Sequence, residues 1–97
     1  MDKTVYISGP MSGIANHNKP TFNEAAEIFR RSGEFAEVIN PAELQIKGDE
    51  WSDYMRADII GLMRATHIYL MDGWEESKGA KLEFHIAMEL GINIIHK

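Results

Sequence analysis

A carboxylate can do chemistry on carbon when the chain holds it at a fixed point beside a cleft, and Glu83 is the first candidate for that task. It closes the stretch Asp72-Gly73-Trp74-Glu75-Glu76-Ser77-Lys78-Gly79-Ala80-Lys81-Leu82-Glu83. The apolar run His67–Met71 leads in and the helical pattern Leu82–Leu90 leads out. The spacing therefore predicts a strand, a turn bearing Gly and Ser, and a helix start, with Glu83 in the first turn or so. There the helix dipole and free amides favour an ionised carboxylate. Such a group can attack an anomeric carbon, the chemistry of retaining glycoside hydrolysis. The plainer alternative is a solvated Glu on a helix face.

A second carboxylate, Asp58, sits in Arg56-Ala57-Asp58-Ile59-Ile60, inside an otherwise apolar helical stretch. Asp is a poor helix former and a poor core residue, so a role in a site and a place on the surface both stay open. Tyr6 lies in a strand-like run, directed either to a cleft or into the core with its hydroxyl on a local partner. Ser8 and Gly9 end that run, and with Ser12, Gly13, Ser77 and Gly79 they offer hydroxyls and backbone N–H groups to a phosphate. Loops of this composition also turn chains without binding anything. Trp74 in its loop is a candidate cover for a base or for a partner surface. His85 and Glu89 stand at i and i+4 without a third ligand, and read as a surface pair rather than a metal site.

The elements that must position these groups follow from apolar patterning. Thr4–Ile7 is β-branched and aromatic, a buried strand halted by Ser8-Gly9-Pro10. After a small, polar loop, Pro20 opens a helix whose stripe is read as Phe22, Ala25, Ala26, Ile28 and Phe29, with Gly33 as its C-cap. Phe35–Ile39 is a second strand, stopped by Asn40-Pro41, with a short turn at Ala42–Leu44. A second helix runs from Glu50-Trp51 to about Ala65, its apolar side read as Trp51, Tyr54, Met55, Ile59, Leu62 and Met63. A strand His67–Met71, a helix Gly79–Leu90 capped by Gly91, and a strand Ile92–Ile95 complete the chain. Strand–helix alternation implies parallel strands with right-handed crossovers. The expected fold is one domain, residues 1–97: a three-layer, flavodoxin-like (Rossmann-like) α/β fold with strand order 2-1-3-4. Its switch point lies between the first and third strands, so the loops Ser8–Asn18 and Asp72–Lys78 would share one cleft.

Ninety-seven residues, 44% hydrophobic and 26% charged, describe an ordinary globular chain. A net charge of −5 argues against a nucleic-acid polymer as partner, because neutralising phosphates needs a basic surface. With no cysteine, disulfides, thiolate metal sites and a Cys nucleophile are excluded. No signal-peptide pattern precedes the first strand and no apolar run reaches the length of a membrane span, so a cytoplasmic protein without a membrane partner is expected.

Together, Y-I-S-G-P-M-S-G, P-x-F-N-E-A-A, N-P-A-E-L, W-x-D-Y-M-R-x-D and G-W-E-x-S-x-G-A-x-L-E span nearly the whole chain. They resemble a family of small uncharacterised phage and bacterial proteins assigned to the nucleoside 2-deoxyribosyltransferase-like superfamily. That superfamily also holds 2′-deoxynucleoside 5′-monophosphate N-glycosidases. The resemblance implies a Glu nucleophile at Glu83, a Tyr6 that orients it, and an Asp58 that contacts the sugar hydroxyls or assists protonation of the base. Ser77 matches the serine of the monophosphate hydrolases rather than the aspartate of the transferases, which implies a phosphorylated ligand, with Ser12 and Gly13 beside it. It implies no cofactor and no metal, a small-molecule nucleotide as ligand, and a homodimer or higher homo-oligomer. In characterised relatives a segment after the last strand, often from a neighbouring subunit, adds an Asn or Ser to the site. This chain is expected to lack that segment, and Gly73-Trp74 to reshape the base pocket. Two other readings stand beside this one. The first is a non-catalytic binder of a nucleotide or ADP-ribose derivative. The second is a small structural or interaction module with Trp51 and Trp74 at an interface.

Overall fold

In the computed structural model, which describes residues 2–96, Thr4–Ser8 forms the central strand β1. Val5, Tyr6 and Ile7 are fully buried, as expected of a β-branched and aromatic strand covered on both faces. The remaining strands are β2 (Glu37–Ile39), β3 (His67–Leu70) and β4 (Asn93–His96), and the sheet order is β2-β1-β3-β4 with all pairs parallel. The helices are α1 (Lys19–Ser32), α2 (Trp51–Leu62) and α3 (Lys78–Leu90). This is the three-layer α/β architecture expected from the alternation of patterns.

The period of two along β1 sorts side chains between layers. Val5 and Ile7 meet Phe22 and Ala26 of α1, with Val38 and Met71. Tyr6, with Ile39, Ile68 and Leu70, meets Leu62 of α2 and Ala87 of α3. So α1 covers one face of the sheet, and α2 and α3 the other.

Several details differ from the sequence reading. Ile28 is 63% exposed, because Phe22, Ala26 and Phe29 already define the buried stripe of α1 and Ile28 projects from the opposite side. Met63 is likewise 47% exposed: α2 stops at Leu62 rather than near Ala65. Strand β2 is shorter than Phe35–Ile39. Its first pair is Thr4 with Glu37, while the Phe35 ring stands edge-on to Phe29 and His67 at 5.5 and 5.2 Å. β4 begins at Asn93, one residue later than expected, because the Ile92 N–H is donated to the Ala87 carbonyl in the cap of α3. Among the described residues no helix is long and apolar enough to cross a membrane.

Candidate active site at the β1/β3 switch point

Crossovers diverge on either side of β1 and β3, and the loops beyond their carboxyl ends leave a cleft of about 600 Å³. Its floor is Tyr6, Ile7 and Gly9. One wall is the loop Pro10–Ser12 with His17, another is α2 through Trp51, Tyr54, Met55 and Asp58, and the third runs from Glu76 through the start of α3 to Glu83.

Tyr6 and Ser8 are two residues apart on β1 and so face the same layer, the one that holds α3. The Tyr6 hydroxyl donates to Glu83 Oε2 at 2.8 Å and the Ser8 hydroxyl to Oε1 at 2.7 Å. Each carboxyl oxygen therefore has its own donor, and the Glu83 head group is fixed from two sides. Glu83 is 4% exposed and sixth in α3, past the free amides of the first turn. The expected dipole stabilisation of its ionised form is thus replaced by a different electrostatic setting. Burial pushes the Glu83 carboxyl up to about 8, the nearby Asp58 charge adds to that, and the hydroxyls of Ser8 and Tyr6 pull it back down. Burial also raises the Tyr6 phenol well above its ordinary value, reinforced by the two carboxylates it faces.

Asp58 completes a stripe on α2 made by Trp51, Tyr54 and Met55, the i, i+3, i+4, i+7 pattern of one helix face. It is 7% exposed, and no described residue donates a hydrogen bond to it. Burial pushes its carboxyl up to about 7. A carboxyl removed from water without a partner is costly unless something else supplies the donors. Here the open side is the cleft.

Removing a hydroxyl changes this balance in a definite direction. In Ser8→Ala, Oε1 loses its donor, and the Glu83 carboxyl will titrate at higher pH than in the wild type. Carbon-13 NMR titration of the Glu83 side chain reads this directly, and an unmoved or lowered midpoint would contradict the arrangement.

Most of the residues singled out from sequence converge here. Gly9 lines the floor where a Cβ would come within 2.9 Å of Met71 Cβ, so the backbone passes only because the side chain is absent. Ser12, Ser77 and Gly79 line the walls, and the Ser77 Oγ caps α3 by accepting from the Ala80 N–H at 3.1 Å. Ser8 touches Glu83 rather than the cleft. Gly13 and Trp74 do not reach the cleft. Gly13 serves a turn at φ +78° with open space around it. The Trp74 ring packs on Phe84 at 4.7 Å beside the Tyr6–Leu62 cluster, which gives it a packing role in place of the expected cover of a base.

Among the lining residues that were not read as parts of a ligand site are His17, Asp49, Trp51, Tyr54 and Lys78. Asn16, His17 and Asn18 are all left-handed, at φ 56°, 53° and 60°, an uncommon run for residues other than Gly. Asn18 Nδ2 donates to the Pro10 carbonyl at 2.9 Å, and the His17 ring lies against Tyr54 at 6.2 Å between centroids. Asn18 thereby ties the turn back to the loop after β1, and His17 brings it against α2. Among the described residues no group of three His, Cys, Asp or Glu side chains is placed to hold a metal ion.

A parallel three-layer sheet with two buried carboxyls in its switch-point cleft, one clamped and one open, defines a class: a flavodoxin-like α/β protein with a built polar site. Within that class, the chain belongs to the family described as Domain of unknown function (DUF4406), which its residues 3–96 match. No curated protein matches it.

Proposed function

We propose that this protein is an N-glycosidase, or a glycosyl-transferring relative, acting on nucleoside 5′-monophosphates through Glu83. The observation that carries the reading is the contrast between the two acids. Glu83 has both oxygens held by hydroxyl donors from β1, whereas Asp58, also buried, takes no hydrogen bond from any described residue. A clamped carboxylate suits a nucleophile, and a buried carboxyl open to the cleft suits a group that meets the ligand.

In this mechanism Glu83 attacks C1′ of the sugar while the C1′–N bond breaks and its electron pair leaves with the base. Asp58 gives that base a proton, or a hydrogen bond to the sugar hydroxyls. Water then attacks C1′ of the glycosyl ester, Asp58 takes the proton from that water, and the C1′–O bond to Glu83 breaks to return the free carboxylate. Positive charge developing on C1′ beside Glu83 offsets what burial takes from its ionised form. Burial lifts the two carboxyls to about 7 and about 8, close to neutral pH, so the charge developing on C1′ is what draws Glu83 into its ionised form and leaves the proton with Asp58. The resemblance of the chain's motifs to the 2-deoxyribosyltransferase-like superfamily supports the same assignment. A cytoplasmic location and a homo-oligomer whose second copy closes the open side of the cleft belong to this proposal.

The test is a panel of ribo- and deoxyribonucleoside 5′-monophosphates and their parent nucleosides incubated with pure protein, with released base read by chromatography. Free base from at least one monophosphate is expected, and no base from any member sinks the reading. A binding-only protein is the second reading, favoured by the burial that raises the Glu83 carboxyl to about 8 and so opposes its ionised form. It predicts heat of binding in calorimetry with no product.

A further inference from the structure

The cleft is unevenly charged for an anionic ligand. Asp49, Asp58, Glu76 and Glu83 line it, and Lys78 is the one Lys or Arg among the described residues that does so. Lys78 makes no ion pair with any described residue. Its Nζ instead lies over the Trp51 ring, 4.1 Å from the centroid. A cation over an indole face is held in place without losing its charge. Gly79 keeps the two helix starts close: a Cβ there would meet Met55 Sδ at 3.0 Å and Trp51 Nε1 at 3.8 Å. At the same point the N–H groups of Lys78 and Gly79 donate to nothing described, while Ala80 donates to the Ser77 Oγ and Lys81 to the Ser77 carbonyl. Because Ser77 Oγ accepts from Ala80, its own proton stays available to a ligand. Independently, the Asp58 carboxyl, more than nine-tenths buried and lining the same cleft, takes no hydrogen bond from any described residue, so its oxygens are directed to whatever enters the cleft.

We infer that Lys78, held over Trp51, is the residue that makes the site select a phosphate-bearing ligand over its unphosphorylated counterpart. The phosphate sits at the start of α3 on the free N–H groups of Lys78 and Gly79 and the Ser77 hydroxyl. The ammonium moves from the indole face to the phosphate or bridges the two. Without it, the acidic lining of the cleft would offer a dianion no cation to pair with. The inference rests on the proposed function for the identity of the ligand, and adds a specificity-determining cation and the aromatic ring that positions it.

The experiment compares a nucleoside 5′-monophosphate with its parent nucleoside, by calorimetry and by base-release kinetics, on the wild type, Lys78→Met, Lys78→Arg and Trp51→Leu. Lys78→Met keeps the stem on the indole and removes only the charge. It is expected to raise Kd and KM for the monophosphate about 10- to 100-fold, the range for losing a charge-assisted hydrogen bond, while values for the nucleoside, which has no phosphate to lose, change far less. Lys78→Arg recovers most of the loss, Trp51→Leu gives an intermediate loss confined to the monophosphate, and added salt shrinks the wild-type preference. A Lys78→Met protein that binds both ligands as the wild type does, or weakens on both alike, overturns the inference and leaves the N-glycosidase reading standing if base is still released. Selective loss of monophosphate binding in a protein that never releases base sustains the role of Lys78 and removes the catalytic reading. A wild type that binds neither ligand overturns both.

Discussion

Glu83→Gln will yield a folded protein whose release of base from a monophosphate substrate falls by roughly a thousandfold or more, the usual consequence of removing a covalent nucleophile. Glutamine has nearly the shape of glutamate, so the cavity against β1 stays filled. Its amide oxygen still accepts from one hydroxyl of the Tyr6–Ser8 pair. Its NH2 faces the other, whose hydroxyl must turn to accept, at a cost of about 1 kcal/mol in stability. Glu83→Ala is a poorer probe. It empties a buried site and leaves both hydroxyls without acceptors, a combined loss of about 2 to 5 kcal/mol that could silence the protein by unfolding it. Urea unfolding and chromatographic base release on the same preparations separate the two effects. A glutamine variant that releases base at a rate near the wild type's would remove Glu83 from the chemistry.

Stability will fall as pH rises from about 5.5 to 9, by several kcal/mol in the limit where both carboxyl shifts are fully expressed. The folded protein holds protons on Glu83 and Asp58 up to about 8 and about 7, whereas the unfolded chain releases them near ordinary carboxylate values. Unfolding therefore releases protons. The contribution is complete below the unfolded values and is lost as pH passes through the folded ones. Glu43 works in the opposite sense at the acid end: its hydrogen bond with Arg30 lowers its pKa, so its contribution disappears as pH falls. For that reason the window above pH 5.5 isolates the cleft. Urea midpoints across it should slope downward in the wild type and flatten in an Asp58→Asn, Glu83→Gln double variant. Parallel slopes for the two proteins would mean that these carboxyls are not held as described.

The fold was legible because each element carries its own punctuation. Pro20 and Gly33 bound α1, Gly91 ends α3, and apolar patterning marks the strands between them. The edges were less so. Phe35 looks like a strand residue but is used for ring contacts with Phe29 and His67, which no propensity reveals. The site was legible as a set of motifs and not as a geometry. Whether Glu83 and Asp58 were wet or buried depended on packing of α2 and α3 that one-dimensional patterning does not contain. A usable signal was nevertheless present. Asp58 shares its helix stripe with Trp51, Tyr54 and Met55, and an acid on an apolar stripe marks a place where the stripe faces a cavity rather than a core. That reasoning would also have found Trp51 and Tyr54 as lining residues. The left-handed run Asn16–Asn18 carried a weaker signal: Asn and His enter that backbone region more readily than other non-Gly residues, but three in succession depend on their surroundings. Trp74 misled because a tryptophan in a turn looks unemployed until Phe84 is seen beneath it.

The hydrogen bonds that clamp Glu83 join residues 77 and 75 positions apart in the sequence. No local segment can make them, and the entropy of closing so long a loop must be met before either bond forms. During synthesis on a ribosome, β1 emerges early and its hydroxyls at Tyr6 and Ser8 wait for α3, which comes after β2, α2 and β3 have taken their places. A half-made chain thus carries a hydroxyl pair and no acid to receive it. The clamp therefore closes late in maturation, and no fragment lacking either β1 or α3 can make it.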